Sequence, residues 1–353
     1  MNVDQFDFDL PDSAIALRPA VPRDSAKLLQ VSAGGALADH HVSDLAELLR
    51  SGDVLVINDT SVLPAALTGV RPAREHGGGG DVSITINLHK KIDDHIWRAF
   101  VRPAKRLKEG DDIHLGEGLS ARVFDKQDGG DVGLEFSLAG ASLTSAIADL
   151  GLPPLPPYIA RQRAADEQDV ADYQTIYAKG EKASVAAPTA GLHFTPELMD
   201  ALEARSVQIE RLTLHVGAGT FLPVKTEDTD AHVMHSEWRT IDAETAARIN
   251  TAKAEGRRVI AVGTTALRAL ESAVEEGKLK AQSGETDIFI TPGYKFQIID
   301  GLMTNFHLPR STLFMLVSAL AGTAEMQAAY AHALSNGYRF YSYGDSSLIW
   351  RAS

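Results

Sequence analysis

Hydrophobic positions along the chain change their spacing from one stretch to the next. "DVLVIN", residues 53–58, is a near-continuous apolar run behind a glycine, the pattern of a buried strand in an α/β sheet. A polar "NDT" closes it. From Thr68 to about Leu138 the texture becomes short alternating segments, "DVSITINLH", "HIWRAFV", "GLSARVF" and "VGLEFSL", divided by Gly- and Asp-rich turns. No helix pattern intervenes, so this stretch predicts an all-β module, a small barrel or sandwich. "HGGGG" at 76–80 reads as a hairpin loop, because a phosphate cradle needs a strand leading into a helix. "SLTSAIADLG" is helical, the proline-rich "LPPLPPYIAR" stiffens into a connector, and "QRAADEQDVAD" is a polar surface segment.

Strands and helices then alternate. "TPELMDALEAR" is a helix with Thr195 as N-cap and Pro196 at its first position. "VQIERLTLHV" and "RRVIAVG" are strands, and "DAETAARINTAKAEG" and "TTALRALESAVEEG" are helices ending at glycine. "ETDIFITPG" is a strand, "RSTLFMLVSALAG" and "TAEMQAAYAHALSNG" are helices, and "YRFYSYG" is a final strand. That order predicts an α/β fold with a mainly parallel sheet, open or barrel-like. The expected division is a discontinuous α/β catalytic domain, 1–62 and 150–353, with an all-β barrel domain inserted at 63–149.

Composition narrows the chemistry. The 353 residues include no cysteine, which removes thiolate nucleophiles, thiolate-held metals and iron–sulfur clusters. The N-terminal "MNVDQFDFDLPDSAIALRP" lacks the basic-then-apolar order of a signal peptide, and "TLFMLVSALAG" falls short of the ~20 apolar residues of a membrane span. A cytoplasmic protein with no membrane partner is expected. A net charge of −13 argues against nucleic-acid binding by the whole surface. One basic stretch stands out, "WRAFVRPAKRLKEG", with Arg98, Arg102, Lys105, Arg106 and Lys108. It is either a solvated strand edge or a stripe that contacts phosphates.

Ligand sites in α/β folds gather at strand C-termini. Polar clusters fall there at Asn58-Asp59-Thr60, at 188–193 ending in His193, at His215 to Thr220, at Gly263-Thr264-Thr265, and at Asn305-Phe306-His307. "AAPTAGLHFT" and "LTLHVGAGTF" each set a histidine beside small residues, where a substrate can approach the backbone. Such a ring is either a hydrogen-bonded structural residue or an imidazole that takes and returns a proton near neutrality. "GTTALRAL" offers free N–H groups at a helix start, suited to an anion, although either threonine also serves as a plain N-cap. "HVGAGTF" lacks the third glycine of a dinucleotide fingerprint. "DTDAHVMHSEW" gathers acids and histidines but reads as a solvated loop rather than a metal site.

Together these stretches resemble one family, the S-adenosylmethionine:tRNA ribosyltransferase-isomerases of queuosine synthesis. The likeness runs through "FDFDLPDSAIALRP", "GDVLVINDTSVLP", "VRPAKRLKEGD", "LPPYIAR", "SVAAPTAGLHFT", "LTLHVGAGTF", "HVMHSEW", "AVGTTALRALES", "FITPGYKFQIIDGLMTNFHLPRSTLFMLVSALAG" and "YRFYSYGDSSLI". The resemblance implies an α/β domain with a β-barrel insert, no metal and no permanently bound cofactor. It implies S-adenosylmethionine as co-substrate and, as partner, a tRNA whose wobble base is 7-aminomethyl-7-deazaguanine. Transfer and isomerisation of the ribosyl moiety would give epoxyqueuosine-tRNA, adenine and methionine. The alternatives are a non-catalytic tRNA-binding relative and an S-adenosylmethionine-dependent transferase for a small molecule. A monomer is expected.

With this family as guide, His193, His215, His307 and Asp59 are the expected catalytic residues. Thr60, Thr189, Gly191, Gly217, Gly219, Thr264, Thr265, Arg268, Asn305, Tyr343 and Asp345 are expected to bind substrate, and Arg102, Lys105 and Arg106 to contact tRNA. The chain departs from the family pattern at Ser61 and Ala66, where arginines are usual, at Ser346-Ser347, and at Thr291.

Overall fold

Every residue of Val54–Asn58 is buried, because strands of like composition flank it on both sides. The computed structural model describes residues 1–74, 80–179, 182–217, 226–232, 234 and 236–352. They form two compact units, one of Met1–Thr60, Gln174–Gly180 and Ala187–Ser353, the other of Ser61–Tyr173 and Glu181–Ala186.

The first unit is built on an open sheet of nine strands. Across it run Gln282–Thr286, Glu237–Ile241, Gln208–Leu214, Val54–Asn58, Val259–Val262, Gly301–Asn305, Ser346–Trp350, Lys27–Val31 and Leu37–His41. Gln208–Leu214, Val54–Asn58, Val259–Val262 and Gly301–Asn305 are mutually parallel. Antiparallel neighbours flank that centre on both sides, so the sheet is mixed rather than mainly parallel. Alternate residues of the central strands, among them Leu55, Ile57, Ile260, Val262 and Met303, share a core with Phe194, Leu198 and Leu202 beside the helix Pro196–Ala204. Thr195 caps that helix as its sequence predicts, accepting the Leu198 N–H at 3.1 Å. A second apolar cluster is aromatic: Phe306, Phe314, Tyr330 and Phe340 pack edge to face or tilted around one another.

The second unit is a closed barrel of six antiparallel strands, Ala66–Arg71, Val82–Lys91, Ile96–Arg102, Asp112–Gly116, Leu119–Phe124 and Asp131–Phe136. Period-2 alternation places Ile84, Ile86, Leu88, Ala99, Val101, Ala121 and Val123 in its interior. Closure leaves no free sheet edge. The "HGGGG" loop lies largely outside the described residues.

The observed elements differ from the sequence reading in places where a side chain or turn competes with the pattern. The helix opening at Thr264 ends at Glu271. Beyond it, Val274–Glu275 and Lys278–Leu279 form a hairpin, turned by positive φ at Glu276 (51°) and Gly277 (72°). In "ETDIFITPG" only Glu285 and Thr286 lie in a strand, Gln282–Thr286. Farther along, the Glu271 carboxylate accepts the N–H groups of Ile298 and Ile299, both at 3.0 Å. The final strand is Ser346–Trp350 rather than "YRFYSYG". There, Tyr341 adopts φ 72° and Gly344 turns back to the Tyr341 carbonyl. Within "QRAADEQDVAD", Glu167–Asp172 is helical and Asp169 is fully buried against Arg163.

Candidate functional site

Because the four central strands run parallel, their C-terminal ends lie along one edge of the sheet. The chain leaves that edge through Asp59-Thr60, His215, Gly263-Thr264 and Phe306-His307. Asn58 organises the middle of it. Its Nδ2 donates to the Leu214 carbonyl at 2.9 Å, while its Oδ1 accepts the Leu214 N–H at 3.0 Å and the Thr60 N–H at 3.2 Å. The same Nδ2 lies 3.4 Å from Thr265 Oγ1, so one carboxamide ties three of the edge loops together.

Thr60 is fully buried, and its hydroxyl lies 3.0 Å from His215 Nδ1. A hydroxyl both donates and accepts, so Thr60 supports either neutral tautomer of the imidazole. The ring itself is half-buried, and the His215 N–H donates to the Trp238 carbonyl at 2.8 Å. Half-buried Asp59 accepts the Thr213 hydroxyl at 2.7 Å. Gly217 donates its N–H to Glu237 Oε1 at 3.0 Å, and the other oxygen of Glu237 pairs with Arg268. Arg268 Nη2 has no hydrogen-bond partner among the described residues, although the side chain is buried. Gly219 lies outside the described residues.

Val259–Val262 enters the helix Thr264–Glu271 through Gly263, whose φ of 89° is a left-handed value that glycine adopts without strain. Among the described residues no side chain caps that helix. Its first N–H groups therefore carry the positive end of the helix dipole without a side-chain acceptor.

His193 is held differently. Its Nδ1 lies 3.0 Å from the Ala190 carbonyl and its Nε2 2.9 Å from the Gly344 carbonyl. A neutral imidazole donates from one nitrogen only, so two facing carbonyls favour the charged ring. Burial outweighs them and holds its pKa below the ordinary value. With Tyr343, the ring lines a cavity of about 10 Å³, room for no more than one water. Gly191 sits where any side chain collides, since a Cβ would fall 2.0 Å from Tyr177 Oη. Asn305 accepts the Thr189 hydroxyl at 2.9 Å and donates to the Tyr341 carbonyl at 3.1 Å.

His307 is buried with its Nε2 3.1 Å from Thr304 Oγ1, and burial pushes its pKa down to about 3. The buried Asp345 carboxylate accepts the N–H groups of Lys27 (3.1 Å) and Arg339 (2.8 Å) and pairs with the Arg339 guanidinium. It pins the start of Lys27–Val31 to the loop before the last strand. Ser346 and Ser347 both donate to the Thr304 carbonyl at 3.1 Å.

In the barrel unit, Arg102, Lys105 and Arg106 are exposed, whereas Arg98 is neutralised by Asp125 and Asp131. Among the described residues no group of three acids and histidines is placed to hold a metal. Of the acids in "DTDAHVMHSEW", Asp228 pairs with the Met1 ammonium and Glu237 with Arg268. No single helix among the described residues is long and apolar enough to cross a membrane. A cleft of about 970 Å³, walled in part by Arg258 and Trp350, opens at the opposite strand ends and takes in none of the expected site residues.

Asn58 and Glu237 are the site residues that sequence reasoning passed over as individuals. Asn58 carried a usable signal, an amide terminating an otherwise apolar strand. Glu237 carried none, since an acid at a strand start is usually solvated.

Residues 3–349 match the model of a family described as queuosine biosynthesis protein. A curated relative from Maricaulis maris, named S-adenosylmethionine:tRNA ribosyltransferase-isomerase, is 64% identical over 99% of each chain. Relatives of the same name from Phenylobacterium zucineum and Parvibaculum lavamentivorans are 59% and 61% identical over the full length of both chains. A crystal structure of S-adenosylmethionine tRNA ribosyltransferase from Thermotoga maritima is similar with a TM-score of 0.56 and 32% identity, covering 98% of this chain and 99% of that one.

Proposed function

The chain belongs to the queuosine biosynthesis protein family, and we infer that it is a transferase of the kind its relatives are named for, acting on tRNA with S-adenosylmethionine as co-substrate. The observation that carries this reading is the extent of the match: identity of 64% spans 99% of both chains. Neither a binding-only relative nor a small-molecule transferase gains support from it. The reaction moves the ribosyl part of S-adenosylmethionine onto the aminomethyl group of a 7-deazaguanine in tRNA, releasing adenine and methionine.

The sulfonium acidifies the adjoining ribose 5′-carbon, and a base that removes that proton opens the ring with loss of adenine. The RNA amine then adds, and ring closure breaks the carbon–sulfur bond and expels neutral methionine. His215 is the residue best placed to handle protons, because Thr60 steadies one ring nitrogen in either tautomer. Asp59, oriented by Thr213, is suited to a ribose hydroxyl or the incoming amine. The uncapped helix start at Thr264 and Thr265, with Arg268 behind it, suits the methionine carboxylate.

His193 and His307, both held neutral by burial, act on this reading as supports for the loops around them. Thr189, Gly191, Gly217, Asn305, Tyr343 and Asp345 shape the same loops, and Gly219 follows in sequence. Arg102, Lys105 and Arg106 contact tRNA phosphates without reading bases. The protein works as a cytoplasmic monomer.

The test is to mix the protein with precursor-modified tRNA and ribose-labelled S-adenosylmethionine. Label joined stably to tRNA with release of adenine is the expected result. Label on free base alone, or tRNA binding without transfer, overturns the proposal.

A further inference from the structure

Glu237 opens the strand Glu237–Ile241 and is buried, as is its partner Arg268. Its two oxygens point to different neighbours: one accepts the Gly217 N–H at 3.0 Å, the other meets the Arg268 guanidinium. The following residue, Trp238, accepts the His215 N–H through its carbonyl. Residues 215 and 217 are thus both held to the beginning of one strand, the first by main chain and the second by a carboxylate.

Arg268 lies one helical turn beyond Thr264 and on the same face. It also donates from Nε to the Ile288 carbonyl at 3.2 Å, which orients its fork. The carboxylate therefore bridges the segment carrying His215 to the helix that begins at Thr264. A buried ion pair often stabilises no more than well-packed hydrocarbon of the same volume. What hydrocarbon could not do is hold an amide and a guanidinium at set positions.

We infer that Glu237 is a positioning residue of the site, fixing the His215–Gly217 segment against the start of the Thr264–Glu271 helix. The kinetic part of this inference rests on the transferase reading above. The geometric part does not.

The experiment uses the full chain as wild type and as Glu237→Gln, which keeps the size and one acceptor but removes the charge facing Arg268. Turnover, KM for each substrate, thermal melting and amide exchange across 214–217 are read side by side. Expected is a variant that still melts cooperatively and exchanges faster across 214–217. Its kcat falls by about 10²-fold, the scale of a small misplacement of reacting groups, while KM changes little. An unchanged kcat in a folded variant overturns the inference, whatever happens to the melting temperature.

Should Glu237→Gln not fold, Glu237→Asp keeps the charge but retracts it, and the same readouts decide. Independently, wild-type Gly217 must exchange slowly, and exchange at the rate of an open loop overturns the inference without any variant. A wild type that transfers no label overturns the transferase reading and leaves the exchange result to judge Glu237.

Discussion

The carboxamide of Asn58 pairs with both main-chain groups of Leu214, as a neighbouring strand would, at 2.9 and 3.0 Å. The pairing extends the contact between two parallel strands to the residue just before His215. Replacing Asn58 by leucine keeps the volume and removes both bonds. The expected loss is about 1–3 kcal/mol for each buried main-chain group left without a partner. Denaturant titration reads the loss, and turnover falls with it because the support beneath His215 loosens. A variant as stable as wild type would refute this account of Asn58.

His215→Ala removes the proposed proton handler without emptying a core position. Its single-turnover rate on bound substrates is expected to fall by ~10²–10⁴, with little change in melting temperature. His193→Ala contrasts with it, since the Ala190 and Gly344 carbonyls both lose the ring they face. That variant melts lower, and its rate loss follows its loss of folded protein. If it is His193→Ala that loses rate at full stability, the two roles are reversed.

The buried histidines make stability depend on acid. His307 has a folded pKa near 3 against an ordinary 6.5, and His193 is shifted in the same direction. Between those values the unfolded chain binds the proton that the folded chain refuses, so stability increases with pH across the window and levels off above about 6.5. Each such proton contributes up to about 1.4 kcal/mol per pH unit. Urea midpoints from pH 4 to 8 measure the slope, and His307→Gln makes it shallower. A slope unchanged in that variant would show that His307 titrates normally in the fold.

Gly191→Ala drives a Cβ to 2.0 Å from Tyr177 Oη and 3.0 Å from Thr175 Cγ2. The variant is expected to melt lower, by the ~1–3 kcal/mol typical of overpacking. Adding Tyr177→Phe removes the nearest atom and recovers part of the loss. Additive losses in the double variant would mean that the clash is relieved elsewhere.

Alanine at Arg102, Lys105 and Arg106 is expected to weaken tRNA binding and to lower the salt dependence of the affinity, by roughly one unit of log–log slope for each phosphate that is no longer neutralised. Filter binding at several salt concentrations reads this directly. Melting temperature is expected to hold, since all three side chains are exposed. An unaltered slope would place the RNA-binding surface away from this stretch.

Much of the molecule could be read without coordinates. The apolar run ending at Asn58 is a buried central strand, and the alternation from Thr68 onward is a closed barrel, because residue period reports directly on which faces meet water. The loops after Leu214, Val262 and Asn305 do lie along the same sheet edge as Asp59-Thr60. Periodicity failed where one side chain outweighed it. The carboxylate of Asp345 anchors a turn where "YRFYSYG" alternates like a strand.

The order of residues thus settled which segments are strands, which faces are apolar and where the chain turns, since each depends on neighbours within a few positions. It left the three histidines alike, each a ring beside small or polar residues at a strand end. Folding separated them. His193 came to rest on two carbonyls, His307 was buried with its ring against the Thr304 hydroxyl, and His215 stayed half-buried beside Thr60. Solvation and hydrogen-bond partners set the chemistry of an imidazole, and both are supplied by residues remote in the chain that only packing brings near.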